Sequence, residues 1–128
     1  MRRNVRTART ASEIGRASRS KGKAGEREAA KAIMDRIPGV KVERSVQYSG
    51  RGASGGDGGM PDLVGLDDMH MEVKRTERAA VYQWMEQVER DKRPGEIGVV
   101  LHRQSRRDWI CILSLDDFCR LIENRYKK

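Results

Sequence analysis

The spacing of apolar and polar residues divides the chain into eight predicted elements. Three segments carry apolar residues at helical spacing and are predicted as helices: residues 24–37, 79–92 and 115–128. Five segments alternate with the period of a strand, or are short apolar runs: residues 40–48, 61–66, 69–76, 96–103 and 109–114. The order α-β-β-β-α-β-β-α predicts an α/β domain with a mixed central sheet flanked by helices.

Turn and cap residues support these boundaries. Pro38-Gly39 ends the first helix. Asp67-Asp68 separates the second strand from the third, so these two strands are predicted to form a hairpin. Ser114 is the predicted N-cap of the last helix, and Asp116-Asp117 lies in its first turn, where acidic side chains are favoured.

A glycine-rich loop over residues 49–59 precedes the hairpin. Gly50, Gly52 and Gly55 fit the G-x-G-x-x-G pattern of dinucleotide sites. That pattern requires a helix to follow the loop, whereas Pro61 and a strand follow here. We therefore interpret the segment as a flexible loop that can approach a phosphate backbone closely, since glycine has no side chain.

Charge is concentrated at the start of the chain. Residues 1–23 hold eight Lys/Arg and one acid, Glu13, which is a net charge of +7 out of +8 for all 128 residues. We predict a basic, flexible arm over residues 1–20 and a single domain over residues 21–128. Such an arm is disordered in isolation and typically binds nucleic acid or an anionic membrane, although it can also be a merely solvated tail.

Targeting features are sparse. The N-terminus lacks the apolar core of a secretion signal, and no stretch reaches the length of a membrane span, so we expect no membrane partner. Its Arg- and Ser-rich composition also resembles a mitochondrial transit peptide. Cys111 and Cys119 make no metal-binding pattern and are predicted to be reduced core residues. The expected location is the cytoplasm of a bacterium, or of the host if a phage encodes the protein.

The predicted hairpin carries the candidate chemistry. It places Asp62 nearly opposite Glu72, with Lys74 on the same face, while Met71 and Val73 point into the core. Two acids directly opposite each other repel. A divalent cation removes this repulsion, because Mg²⁺ binds one or two carboxylates together with water and phosphate oxygens. The alternative is a solvated hairpin face with a cross-strand Lys–Glu pair.

Residues 60–74, MPDLVGLDDMHMEVK, resemble the PD-(D/E)xK signature of the restriction-endonuclease-like nuclease superfamily. The order of elements is similar to the core of that superfamily. Two further features resemble its archaeal-type Holliday junction resolvases, namely KGKAGEREAAKAI at residues 21–33 and Arg44-Ser45 after the first strand. The resemblance covers residues 21–113. The loop over residues 49–59 is longer than in the resolvases, which bears on substrate geometry rather than on metal chemistry.

The resemblance implies a role for each residue of the motif. Glu26, Asp62 and Glu72 are implied as acids of a Mg²⁺ site that also accepts Mn²⁺, with the Val73 backbone carbonyl as a further ligand. Lys74 is implied to orient the attacking water or to help deprotonate it. The residues expected to contact nucleic acid are Arg16, Arg19, Lys21, Lys23, Arg44, Ser45 and Arg51.

Four other polar residues are candidates for the site. Glu28 competes with Glu26, but helical spacing rotates the two about 200° apart, so only one can face the site. Gln83 or Gln87 on the second helix could reach the site, with solvated residues as the alternative. His70 shares the face of Glu72, and we interpret it as structural or exposed.

These features lead to three hypotheses. The first is a Mg²⁺-dependent endonuclease that cleaves branched DNA, such as a Holliday junction, as a homodimer. The second is the same nuclease core acting on duplex or single-stranded DNA without junction specificity. The third is a non-catalytic nucleic-acid-binding protein in which the acids are solvated. The apolar surfaces considered for a dimer are residues 96–103, residues 109–114 and the helix that carries Trp84.

Overall fold

A computed structural model describes residues 10–46 and 59–127. Within these residues the elements follow the predicted order, and the α/β class with a mixed sheet flanked by helices is confirmed. The helices and strands are α1 (Ala11–Arg36), β1 (Glu43–Arg44), β2 (Leu63–Val64), β3 (Met69–Arg75), α2 (Val81–Asp91), β4 (Ile97–Arg103), β5 (Ile110–Ile112) and α3 (Leu115–Tyr126).

The five strands lie side by side in chain order. β3 and β4 are parallel and are joined by a crossover through α2, whereas the other neighbouring strands are antiparallel. The two long strands, β3 and β4, form the centre of the sheet, and β4 is buried over nearly its whole length. The short strands β1 and β2 extend one edge, where the candidate site lies.

The core occupies the face of the sheet that carries α1. Met71, Val99 and Leu101 project from β3 and β4 and pack against Ala29 and Ala30 of α1. Small residues on the helix let it lie close to the strands. Aliphatic packing of this kind agrees with the low aromatic content of the chain.

α2 covers the opposite face, where Val88 is fully buried. A side chain at Gly98 would collide with Val88, so glycine allows α2 to lie directly on β4. A second close approach occurs at Gly25, where an added Cβ would lie 2.7 Å from the Cβ of Arg75. Gly25 therefore fixes the position at which α1 crosses β3, and with it the position of Glu26.

α1 begins at Ala11 and not at the predicted residue 24. The apolar pattern missed its first turns because residues 11–23 carry no apolar stripe, although most of them are compatible with a helix. The predicted boundary at residue 20 falls inside α1, and residues 1–9 lie outside the described residues. Of the described residues of the predicted first strand, 40–46, only Glu43 and Arg44 pair with β2, and residues 47 and 48 lie outside the described part.

The last helix begins as predicted, since the Ser114 hydroxyl accepts a hydrogen bond from the Asp117 amide at 3.1 Å.

The prediction that both cysteines are core residues is wrong. Cys111 lies on the edge strand β5 and Cys119 on α3, and both are exposed free thiols. No helix in the described residues combines the length and apolar character that crossing a membrane requires.

Candidate active site

The β2–β3 hairpin places two carboxylates opposite each other. Leu63 pairs with Met71, so the adjacent residues Asp62 and Glu72 face each other across the two strands. Side chains opposite each other in an antiparallel pair share a face of the sheet. Glu72 is only 4% exposed, and Asp62 is half-buried. The hairpin geometry predicted from the sequence is therefore confirmed.

Asp62 is held on both sides by backbone groups. Its carbonyl accepts a hydrogen bond from the Ser45 amide, and its amide donates to the Met71 carbonyl, each at 2.9 Å. Its carboxylate accepts a hydrogen bond from the Val73 amide at 2.8 Å. In a strand the amide and carbonyl of one residue project to the same side, so the Val73 carbonyl also faces the Asp62 side of β3.

Glu72 perturbs the ionisation of Asp62. Burial, followed by the charge of Glu72 and a hydrogen bond to it, raises the pKa of Asp62 from 3.8 to about 8. The Val73 amide opposes this increase, and the charge of Glu26 adds to it. The pair therefore retains a proton at neutral pH when no cation is present. A bound divalent cation would compete with that proton for the same oxygens.

His70 supports Glu72 from the other side. It is 1% exposed, and its Nε2 lies 3.0 Å from Oε1 of Glu72. The histidine is therefore buried and directly bonded to a candidate ligand. The signal in the sequence was its position two residues before Glu72, which places both side chains on the same face of β3.

Lys74 lies two residues after Glu72, on the same face of β3. Its Nζ donates a hydrogen bond to Oε1 of Gln87 at 3.2 Å, so Gln87, on α2, is the glutamine that reaches the motif. His102 on the neighbouring strand has a structural role. Its Nε2 lies 3.0 Å from the Thr76 carbonyl, and its ring packs against Trp84 with centroids 4.9 Å apart.

Glu26 and Glu28 face different partners. Glu26 accepts a hydrogen bond from the Arg44 Nε at 2.7 Å, and its charge influences Asp62. Glu28 forms ion pairs with Arg103 and Arg75. Of the two acids, Glu26 is therefore the one whose charge acts on Asp62.

A cavity of about 550 Å³ opens beside these groups. Seven residues from α1, β1 and the start of the hairpin line it: Gly22, Lys23, Glu26, Arg44, Ser45, Val46 and Asp62. The Ser45 hydroxyl donates a hydrogen bond to the Pro61 carbonyl and so ties the segment after β1 to the PD motif. Basic and acidic groups thus share one concave surface.

The predicted nucleic-acid contacts divide into three groups. Lys23, Arg44 and Ser45 line the cavity. Arg16, Arg19 and Lys21 lie within α1, on the N-terminal side of the cavity-lining residues. Arg51 lies outside the described residues.

The donor set fits a hard divalent cation. Asp62 and Glu72 supply two adjacent carboxylates, which suits Mg²⁺ because that ion keeps several water or phosphate ligands. Glu26 is engaged by Arg44, and no three His, Cys, Asp or Glu side chains are grouped as a ready metal centre in the described residues. The fit therefore rests on two carboxylates rather than three.

Comparison with models of protein families, with characterised proteins and with solved structures finds no match to this chain.

The raised pKa of Asp62 predicts how stability depends on pH without metal. In the folded protein Asp62 stays protonated up to about pH 8, whereas in the unfolded chain it loses its proton near pH 3.8. The free energy of unfolding therefore falls as pH rises between these two values. Asp62→Asn cannot ionise, and its advantage in melting temperature over the unchanged protein should grow by at least about 5 °C across this range, since even a quarter of the shift is worth about 1.4 kcal/mol.

Melting curves in a chelator from pH 5 to pH 9 would measure the difference. Asp67→Asn changes an exposed acid of the same hairpin and serves as the control. A difference that stays constant with pH would contradict this account of Asp62.

Proposed function

We propose that this chain is a metal-dependent DNA endonuclease with a restriction-endonuclease-like core, and that it hydrolyses phosphodiester bonds in branched DNA such as Holliday junctions. The observation that carries the proposal is the pairing of Asp62 with Glu72 across the hairpin, with Lys74 on the same strand. We further propose that the protein acts in the cytoplasm.

Each residue near the hairpin has a role in this proposal. Asp62 and Glu72, with the Val73 carbonyl, hold a Mg²⁺ ion, which Mn²⁺ can replace. When bound, that ion supplies an activated water and neutralises the charge that develops on the phosphate. Lys74, positioned by Gln87, donates a hydrogen bond to the attacking water and orients it.

Arg44 links DNA binding to the completion of the site. It is bonded to Glu26 within the cavity. A DNA phosphate that enters the cavity can accept two hydrogen bonds from the Arg44 guanidinium. Transfer of Arg44 to that phosphate leaves the Glu26 carboxylate without its partner and next to Asp62, where it can join the cation site.

α1 provides a route for the DNA backbone. Positions 16, 19, 23 and 26 follow one another at intervals of three, four and three, so they lie on the same side of the helix. A row of basic positions therefore leads along α1 to Glu26. This arrangement supports phosphate binding by the N-terminal half of α1.

The alternatives differ in how they account for the acids. A purely nucleic-acid-binding protein has no use for a buried acid pair, which costs stability when no cation compensates it. The burial of Glu72 and the raised pKa of Asp62 therefore favour an enzyme. A nuclease that acts on linear duplex or single strands remains the second candidate, because the same two acids serve it equally well.

A homodimer is part of the proposal, and α3 supports it. Of the described α3 residues only Asp117 is buried, and it bonds Lys92 and the Gly98 amide. Leu115 and Phe118 are 74% and 45% exposed.

The strand over residues 96–103, one of the predicted dimer surfaces, is buried inside the domain. The apolar side of α3 is the better surface for a second copy, since an antiparallel pair brings each acidic first turn to the other's basic last turn.

Substitution of either hairpin acid tests the activity. Asp62→Asn and Glu72→Gln should reduce Mg²⁺-dependent cleavage below detection, because each removes a cation ligand. DNA affinity should stay the same or increase, since less negative charge faces the phosphate. Lys74→Ala should lose roughly 10²–10³-fold in rate with little change in affinity.

Cleavage of a labelled four-way junction, of duplex and of single strands, with and without Mg²⁺, gives the readout. Asp67→Asn is the matched control. Full activity of either acid variant at the same Mg²⁺ concentration would reject the site.

Neutralising two basic positions of α1 tests the DNA route. Arg16→Gln combined with Arg19→Gln should weaken DNA binding and lower the slope of log K against log salt by about 1.8, which corresponds to two phosphate contacts. Lys31→Gln with Lys41→Gln removes the same charge from two exposed lysines that pair with Asp35 and Glu43. Equal slopes for both double variants, from titrations at several salt concentrations, would show that α1 takes no part.

If two copies pair through α3, a charged side chain placed on that surface should separate them. The unchanged protein should have twice the 14.6 kDa mass of the chain, and Phe118→Asp should reduce it to the single-chain mass. Tyr82→Asp alters an aromatic residue on α2 that is 85% exposed and should leave the dimer intact. Light scattering after size-exclusion chromatography measures the masses, and a monomeric unchanged protein would refute the dimer.

A further inference from the structure

A second basic surface lies beside the proposed site and has no role in it so far. It is formed by the segment after β3 and by the turn between β4 and β5. We call it the arginine edge and define it by three exposed residues, Arg78, Arg106 and Arg107. None of the three has a side-chain ion pair within the described residues.

Hydrogen bonds join the two segments into one surface. Oε1 of Glu77 accepts hydrogen bonds from the amide and the hydroxyl of Ser105, at 2.9 and 2.5 Å. The Gln104 side chain donates to the Glu77 carbonyl at 2.8 Å. Arg106 has a φ of 63°, a left-handed conformation that is unfavourable for arginine and is fixed by the tight turn. The exposed arginines therefore project from a connected framework.

Other charges nearby are largely compensated. Glu28 forms ion pairs with Arg103 and Arg75, so the charges of these two arginines are compensated within the domain. Glu77 lies 3.7 Å from Arg75 and is bonded to Ser105. The three arginines of the edge thus leave an excess of positive charge, which suits a partner with several negative groups in a row.

The arginine edge continues from the proposed active site. A cavity of about 540 Å³ runs from Lys74 to Arg78 along the end of β3. Gly22 of α1 lines this cavity and also lines the cavity that contains Asp62. α1 therefore lies between two grooves, one with Glu26, Arg44 and Asp62 and one that leads to the arginine edge.

We propose that the arginine edge binds the phosphate backbone of a second DNA arm, so that α1 separates two arms that diverge near the scissile phosphate. This inference rests on the proposed function and explains how the chain would select branched DNA. The recognised group is a run of backbone phosphates, because arginine binds phosphate with paired hydrogen bonds. A linear duplex would occupy only the groove beside Glu26.

The test compares two DNA substrates in the full-length protein. Arg106→Gln with Arg107→Gln, and separately Arg78→Gln, are titrated in a chelator against an immobile four-way junction and a linear duplex of the same sequence. For the junction, the double variant should raise Kd at least tenfold and lower the salt slope by about 1.8. Kd for the linear duplex should change less than twofold. Lys31→Gln with Lys41→Gln again provides the charge-matched control.

The outcomes separate this inference from the function on which it rests. If both arginine variants bind the junction as tightly as the unchanged protein while Asp62→Asn abolishes cleavage, the arginine edge is rejected and the nuclease stands. An equal loss of affinity for the junction and for the linear duplex would also overturn the proposal. That result would mean that α1 lies in the major groove of a single duplex, with one DNA strand's backbone on each side of the helix. If the unchanged protein binds no DNA, the inference fails together with the proposed function.

Discussion

Electrostatic repulsion between Asp62 and Glu72 is the constraint on which the site depends. Folding the β2–β3 hairpin brings two carboxylates together in a partly dry environment, where burial and Glu72 disfavour the charge of Asp62. The surrounding contacts reduce this cost without removing it. The Val73 amide bonds one acid and His70 bonds the other. In the metal-free protein a proton relieves the remaining repulsion, and a divalent cation would compete with that proton for the same oxygens.

The core supplies the rigidity that this arrangement needs. The hairpin strand β2 has only two residues, so it cannot hold the acids in place alone. Its partner β3 is the long central strand, fixed by β4 along one edge and by helices on both faces. Gly25 and Gly98 let those helices approach closely. The small aliphatic core is therefore concentrated under the strand that carries Glu72 and Lys74.

Local periodicity was sufficient to predict part of the fold and of the candidate site. Strand alternation and the turn at Asp67-Asp68 predicted that Asp62 would face Glu72, because register in a short hairpin follows from its turn. The start of α1 was missed because a basic, apolar-poor helix has no hydrophobic stripe. Both cysteines were misplaced because apolar spacing identifies an apolar side of an element without showing whether that side is covered.

Long-range polar contacts were beyond such reasoning. Arg44 lies 18 residues from Glu26, and Arg103 lies 75 residues from Glu28, and nothing in the local pattern pairs them. These contacts nevertheless give the two acids of α1 different roles. Glu28 is bound by two arginines and anchors α1 to the ends of β3 and β4. Within the described residues Glu26 has a single arginine partner, at the cavity wall, and the proposed function requires that this contact be exchanged when a phosphate enters. The difference in the number of partners, rather than the identical side-chain chemistry, makes Glu28 structural and is the basis for assigning Glu26 to the proposed site.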